Sequence, residues 1–164
     1  MSLRFGVLTI SDRVSRGERA DASGPALVKR ITAESWEVAR QGVVLDDLPT
    51  IRQVLLDWAD RGDLDIILTT GGTGFAPRDV TPEATRMVID RDAPGLAEAM
   101  RAASAAKSRH AMLSRAVAGV RGRVLIINLP GSPKAAVENF ETVLPVLVHA
   151  VQLLHEDPAA ESGH

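Results

Sequence analysis

Apolar residues along this chain alternate between short continuous runs and helically spaced stripes. Residues 4–10 (Arg-Phe-Gly-Val-Leu-Thr-Ile), 36–45, 65–70, 116–120 and 123–128 are short runs rich in β-branched and apolar residues. Runs of that length bounded by turn residues predict strands, and the uninterrupted ones predict strands buried on both faces. Between them, Leu27, Val28 and Ile31 mark one helix opened by Ser23-Gly24-Pro25, with Ser23 as its cap. Ile51, Val54, Leu55 and Trp58 mark a second helix, over 48–60. Thr81-Pro82 predicts a third helix start, a hydroxyl cap followed by proline, running to about Ile89. Asp92-Ala93-Pro94-Gly95 breaks it, and an alanine-rich helix follows over 96–106 with Met100 inward. Arg121-Gly122 between two apolar runs predicts an antiparallel hairpin. A last helix starts near Ser132, and residues 144–154 are apolar nearly all round, which asks for burial in a core or at a subunit interface. The order predicts a three-layer α/β domain over 1–156. Its sheet is mostly parallel with an antiparallel strand, helices cover both faces, and 157–164 form a short, disordered polar tail.

The polar residues collect where the strands stop. The run 65–70 ends in Thr69-Thr70-Gly71-Gly72-Thr73-Gly74. Three glycines in four positions permit positive φ and close approach of another molecule to the main chain. Successive N–H groups in such a turn form an anion nest, at the sheet edge where open α/β folds bind ligands. A tight strand-to-helix turn would use the same residues. Ser11 and Asp12 end the first strand, as turn residues or as part of a site. Asp46 and Asp47 end the second; one caps the next helix, Asp47 being the nearer, and the other is free at the strand end. Asp79 stands five residues past Gly74, and a carboxylate beside an anion nest calls for a cation between them. The loop 128–134 (Asn-Leu-Pro-Gly-Ser-Pro-Lys) offers a helix N-terminus and Lys134 as a second anion site, or an ordinary connection. Ser114-Arg115 reads as an exposed turn pair, and His149 and His155 as surface or packing residues.

Composition narrows the chemistry. The 164 residues suit one domain with a full core, and a net charge of −2 with scattered Lys and Arg offers no nucleic-acid surface. Cysteine is absent, which removes disulfides and thiolate metal sites. No membrane span and no signal pattern are legible, so a soluble, cytoplasmic protein is expected. The chain lacks Gly-x-x-x-x-Gly-Lys-[Ser/Thr], Gly-x-Gly-x-x-Gly and Gly-x-Ser-x-Gly. What remains is in-line transfer at a phosphoryl centre, driven by positioning and metal electrostatics.

Residues 69–74 followed by Arg78-Asp79-Val80-Thr81-Pro82-Glu83 resemble the signature of the molybdopterin adenylyltransferase family, which is related to the G domain of gephyrin. Leu8-Thr9-Ile10-Ser11-Asp12-Arg13, Leu113-Ser114-Arg115-Ala116 and the 128–134 loop match as well, and the resemblance covers residues 4 to about 154. It implies an enzyme that moves AMP from Mg-ATP to the terminal phosphate of molybdopterin and releases pyrophosphate. Asp46 and Asp79 would be the catalytic carboxylates at Mg²⁺ and the reacting phosphates. Gly71, Gly72, Thr73 and Gly74, with Ser11 and Asp12, would cradle the nucleotide. Ser114, Arg115, Asn128, Gly131, Ser132 and Lys134 would contact molybdopterin. The resemblance also implies a homotrimer, and a molybdenum-insertion protein as a further partner. Many family members have Ser after the Pro-Lys pair, where this chain has Ala135. A non-catalytic molybdopterin-binding or scaffolding protein of the same family would share every feature except the need for two carboxylates facing phosphates.

Overall fold

The computed structural model describes residues 1–163. Strands β1 (Arg4–Ile10), β2 (Glu37–Val44), β3 (Ile66–Thr70), β4 (Arg91–Asp92), β5 (Ala118–Arg121) and β6 (Val124–Leu129) form one sheet in the order β2-β1-β3-β6-β5-β4. β2, β1, β3 and β6 pair in parallel, while β5 is antiparallel to β6 and to β4. The expected α/β architecture is therefore present. The two-residue strand β4 overlaps, at Asp92, the 92–95 stretch expected only to break a helix.

Side-chain parity along the strands divides the core in two. Phe5, Val7, Ile66, Leu68, Leu125 and Ile127 face the helices α2 (Ser23–Thr32), α5 (Pro94–Ala105) and α6 (Pro133–Leu154). Leu8, Ile10, Ile67 and Ile126 face α3 (Leu48–Asp60) and α4 (Thr81–Arg86). β3 and β6 are buried at every position, as their unbroken apolar runs require. β2 differs. It is an edge strand in which exposure alternates, and Val43 and the following Leu45 are open to solvent.

Several helix ends differ from the expected ones. Ser23 lies inside α2 rather than capping it; Asp21 Oδ1 instead accepts from Gly24 N at 3.1 Å. Thr81 does not cap α4. Its hydroxyl donates to Gly71 O at 2.9 Å, and α4 stops at Arg86. Asp47 does cap α3, accepting from Thr50 N at 3.1 Å. A single helical turn, α1 (Asp12–Ser15), follows β1, where the sequence predicts no helix. α6 buries Phe140, Val143, Leu147 and Val151 at helical spacing, whereas Val146 and Leu153 on its other side are about half exposed. The residues expected to form a disordered tail fold into a 3-10 turn, Pro158–Gly163, with Ala160 buried; His164 lies outside the described residues. Among the described residues no helix is long and apolar enough to cross a membrane.

Strand order fixes where a ligand goes. From β1 the chain turns outward to β2, then returns through α3 to β3 on the other side of β1. The connection after β3 leads the opposite way, toward β6. The carboxyl ends of β1 and β3 thus flank a topological switch point, where adjacent loops part and leave a crevice.

Candidate functional site

That crevice is a cleft of about 570 Å³. Ser11 from the end of β1, Asp46 after β2, Gly71, Gly72 and Asp79 after β3, and Gly131 and Ser132 after β6 all line it. Four strand ends separated by up to 121 positions in sequence therefore meet at one edge. Its far wall is residues 19–22, which no motif marks in the sequence, together with Ser23, expected only as a helix cap. The unusual length of that strand-to-helix connection was the signal that could have marked it.

Two carboxylates hold each other's loops. Asp12 N donates to Asp46 Oδ2 at 2.9 Å, and Asp46 N donates to Asp12 Oδ1 at 3.0 Å. The ends of β1 and β2 are thereby locked together. Asp79 closes the tip of the glycine loop, its Oδ2 accepting from Ala76 N at 3.0 Å. Burial pushes the Asp46 carboxyl above its usual range; the Asp12 amide opposes this, and the Asp12 and Asp79 carboxylates reinforce it. An anion disfavoured in this way, next to a second carboxylate, is a position that a cation stabilises.

Gly71 has φ +105° and Gly72 φ +69°, conformations open to glycine and strained for other residues. The Gly71 amide donates to Leu129 O at 3.1 Å, so the nest begins at Gly72 rather than Gly71. Thr81 ties the loop from behind, its hydroxyl to Gly71 O and its amide to Gly72 O at 3.2 Å.

Beyond the glycine loop lies a second cleft of about 310 Å³. Thr73 and Gly74 form its near wall, with Pro130 and Ala135, and Ser114, Arg101, Lys107 and Asn139 stand around it. The glycine loop and the 130–135 loop are thus a ridge with a cleft on each side. Ser114 lies on the second cleft, but Gly131 and Ser132 lie on the first, with Asp46 and Asp79. Lys134 lines neither cleft and is 88% exposed, 4.0 Å from Glu138.

Two assignments change. Asn128 is fully buried: its amide nitrogen donates to Thr69 Oγ1 at 3.0 Å and Thr85 Oγ1 at 2.9 Å, and its oxygen accepts from Val117 N at 3.1 Å. It joins β3, β6 and α4 behind the ridge and cannot touch a ligand. Arg115 is not an exposed turn residue. Its amide donates to Thr73 O at 2.8 Å, its Nε to Gly74 O at 2.8 Å and its Nη2 to Asp79 O at 2.7 Å, and it pairs with Glu83. The guanidinium therefore bridges both ends of the 74–79 segment and holds the Glu83 carboxyl below its usual range. Five donors in a fixed fork make arginine suited to such a bridge, and lysine is not. Arg115→Ala is expected to loosen this segment. Hydrogen exchange at the Ala76 and Asp79 amides should speed up by at least tenfold, since each lost charge-assisted bond is worth roughly 1.5–3 kcal/mol. Unchanged exchange would show that Arg115 does not hold the segment.

The chain matches the family described as probable molybdopterin binding domain over residues 6–149. It is 45% identical over 158 residues to the molybdenum cofactor synthesis protein cinnamon of Drosophila melanogaster, spanning 95% of this chain but only 26% of that protein. It is 41% identical over 157 residues to the molybdopterin adenylyltransferase of Escherichia coli K12, spanning 92% of this chain and 80% of that one. The crystal structure of the molybdopterin biosynthesis enzyme MoaB of Thermus thermophilus superposes with a TM-score of 0.89 at 55% identity, covering 95% of this chain and 98% of that one. The ridge, the paired carboxylates and these likenesses together make this chain a member of the molybdopterin-binding family that contains the molybdopterin adenylyltransferases.

Proposed function

We propose that this chain is a molybdopterin adenylyltransferase of molybdenum cofactor biosynthesis. In the reaction, an oxygen of the terminal phosphate of molybdopterin attacks the α-phosphorus of ATP. The bond to the β-phosphate oxygen breaks, and pyrophosphate leaves with the electron pair. The observation that carries this reading is the ridge: two clefts large enough for two substrates share the glycine loop, and the carboxylates lie on one side of it. ATP belongs in the larger cleft, its phosphates on the amides from Gly72 onward, with Ser11, Gly131 and Ser132 around it. Molybdopterin belongs in the smaller cleft, beside Thr73, Gly74 and Ser114, its phosphate end toward the ridge.

The chemistry asks little of side chains as acids or bases. The attacking group is a phosphate monoester, already ionised at neutral pH because its second pKa is about 6. No base has to remove a proton from it, so the reaction needs alignment and charge stabilisation. Asp46 and Asp79 would hold Mg²⁺, which when bound neutralises charge on the reacting phosphates. Among the described residues no group of three or more His, Cys, Asp or Glu is placed to hold a metal alone. That accords with Mg²⁺ held by one or two carboxylates plus substrate phosphates. Asp12 positions Asp46, and Arg115 positions Asp79. Ala135, on the smaller cleft, supplies no hydroxyl where many relatives have serine. The non-catalytic reading accounts for the smaller cleft but not for two carboxylates on the larger one.

The same reading treats residues 1–156 as one cytoplasmic molybdopterin-binding domain that hands adenylylated molybdopterin to a molybdenum-insertion protein. It also makes the chain a trimer, joined partly through the open apolar side of α6. Sedimentation at micromolar concentration should give three times the 17.5 kDa chain mass; a monomer would refute the assembly. The two-cleft arrangement is tested by calorimetry with molybdopterin and a non-hydrolysable ATP analogue. Each ligand should bind in the presence of the other. Mutual exclusion would overturn it.

A further inference from the structure

Arg78 is a cation of the chain's own that is ion-paired at the acidic site. The Asp12 side chain is only 7% exposed, and its Oδ2 is buried with no hydrogen bond. Among the described residues the cation paired with that oxygen is the Arg78 guanidinium, from a side chain that is itself 60% exposed. Arg78 is also close enough to Asp46 to favour its ionised form. Asp12 and Asp46 thus share one arginine, carried on the glycine loop next to Asp79 in sequence. A buried carboxylate oxygen needs such a partner, yet an ion pair with one exposed member is weak and readily exchanged.

We propose that Arg78 is a placeholder cation, holding the glycine loop against Asp12 until a divalent metal binds and then released toward the substrate phosphates. This rests on the assignment of Asp46 and Asp79 to the metal given above. Two positive charges arriving beside Asp46 repel the guanidinium and take over its work of neutralising the carboxylates. The freed guanidinium is a planar fork suited to phosphate oxygens. It sits on the same loop as the nest, so metal arrival and phosphate capture become linked steps. Asp12, bonded to the Asp46 amide, then relays the presence of the metal to the loop.

The test is a Mg²⁺ titration of the whole chain, followed by NMR of the arginine Nε–H groups and the aspartate carboxyl carbons. The Arg78 signal is assigned by its loss in Arg78→Lys. In parallel, Mn²⁺ affinity is measured by electron paramagnetic resonance for the unaltered chain, for Arg78→Gln and for Arg13→Gln. Arg13→Gln removes the same charge next to Asp12 and serves as the control. The expected result is that the Arg78 Nε–H moves to the position of a free side chain as Asp46 and Asp79 respond. Arg78→Gln should bind Mn²⁺ about two- to fivefold more tightly, the equivalent of a half-exposed ion pair, and Arg13→Gln less than half as strongly affected. If Asp46 and Asp79 respond while Arg78 keeps its position, or if both variants tighten Mn²⁺ equally, the exchange is wrong and the metal assignment stands. If neither carboxyl responds, the metal assignment falls and the exchange with it.

Discussion

Asp79→Asn is expected to lower adenylyl transfer by about 10²–10³-fold, the size of effect seen when one group that stabilises transition-state charge is removed. Affinity for molybdopterin should stay within about twofold, because an interaction made mainly in the transition state affects rate rather than binding. Asparagine is the informative replacement because both carboxylates also have structural bonds. Asp79 Oδ2 accepts from Ala76 N and Asp46 Oδ2 from Asp12 N, and an amide oxygen can still accept both. Alanine would unlock these loops and confuse chemistry with folding. Asp46→Asn should show the same split between rate and binding. Stopped-time assays for the rate and titration calorimetry for pterin affinity measure the two quantities separately. Wild-type turnover in both variants would remove the catalytic assignment.

Gly71→Ala should abolish nucleotide binding and destabilise the fold. A Cβ there would fall 2.2 Å from Ile10 O, a main-chain atom of β1 that cannot turn aside, at a φ of +105°. Strained backbone of this kind costs about 1–3 kcal/mol before the clash is counted. At about 2–4 °C per kcal/mol for a chain of this size, the midpoint of thermal unfolding should fall by several degrees. Gly62→Ala separates strain from site. Gly62 also has positive φ, +79°, but a Cβ there meets nothing within 4 Å. It should lose some stability and keep full ATP affinity. Equal ATP affinity in Gly71→Ala would mean that the loop is a turn and not a cradle.

Much of this was legible in residues 4–10, 66–70 and 124–129, whose apolar runs have one structural reading, a buried strand. The convergence of their ends follows from the parallel sheet, which places Ser11, Asp46, Gly72, Asp79 and Gly131 along one edge. Contacts between distant polar side chains were not legible. Arg115 and Asn128 lie in matching motifs, and a motif match alone cannot separate a side chain that touches ligand from one that holds the loop that does. Asn128 is distinguished only by its three buried partners, on Thr69, Thr85 and Val117. Thr81 before Pro82 has the residue pattern of a helix cap, yet the long-range bond to Gly71 O takes its hydroxyl. The exposure of one side of α6 was hidden because apolar content alone does not say which residues a partner covers.

The proposed reaction carries AMP across the ridge from one cleft to the other. It is tested most directly by incubating the purified chain with molybdopterin and Mg-ATP labelled at the α-phosphate. Label should pass to molybdopterin with one pyrophosphate released per transfer, and Asp79→Asn should slow the transfer by about 10²–10³-fold while the pterin still binds. Tight molybdopterin binding with neither labelled pterin nor pyrophosphate would contradict it.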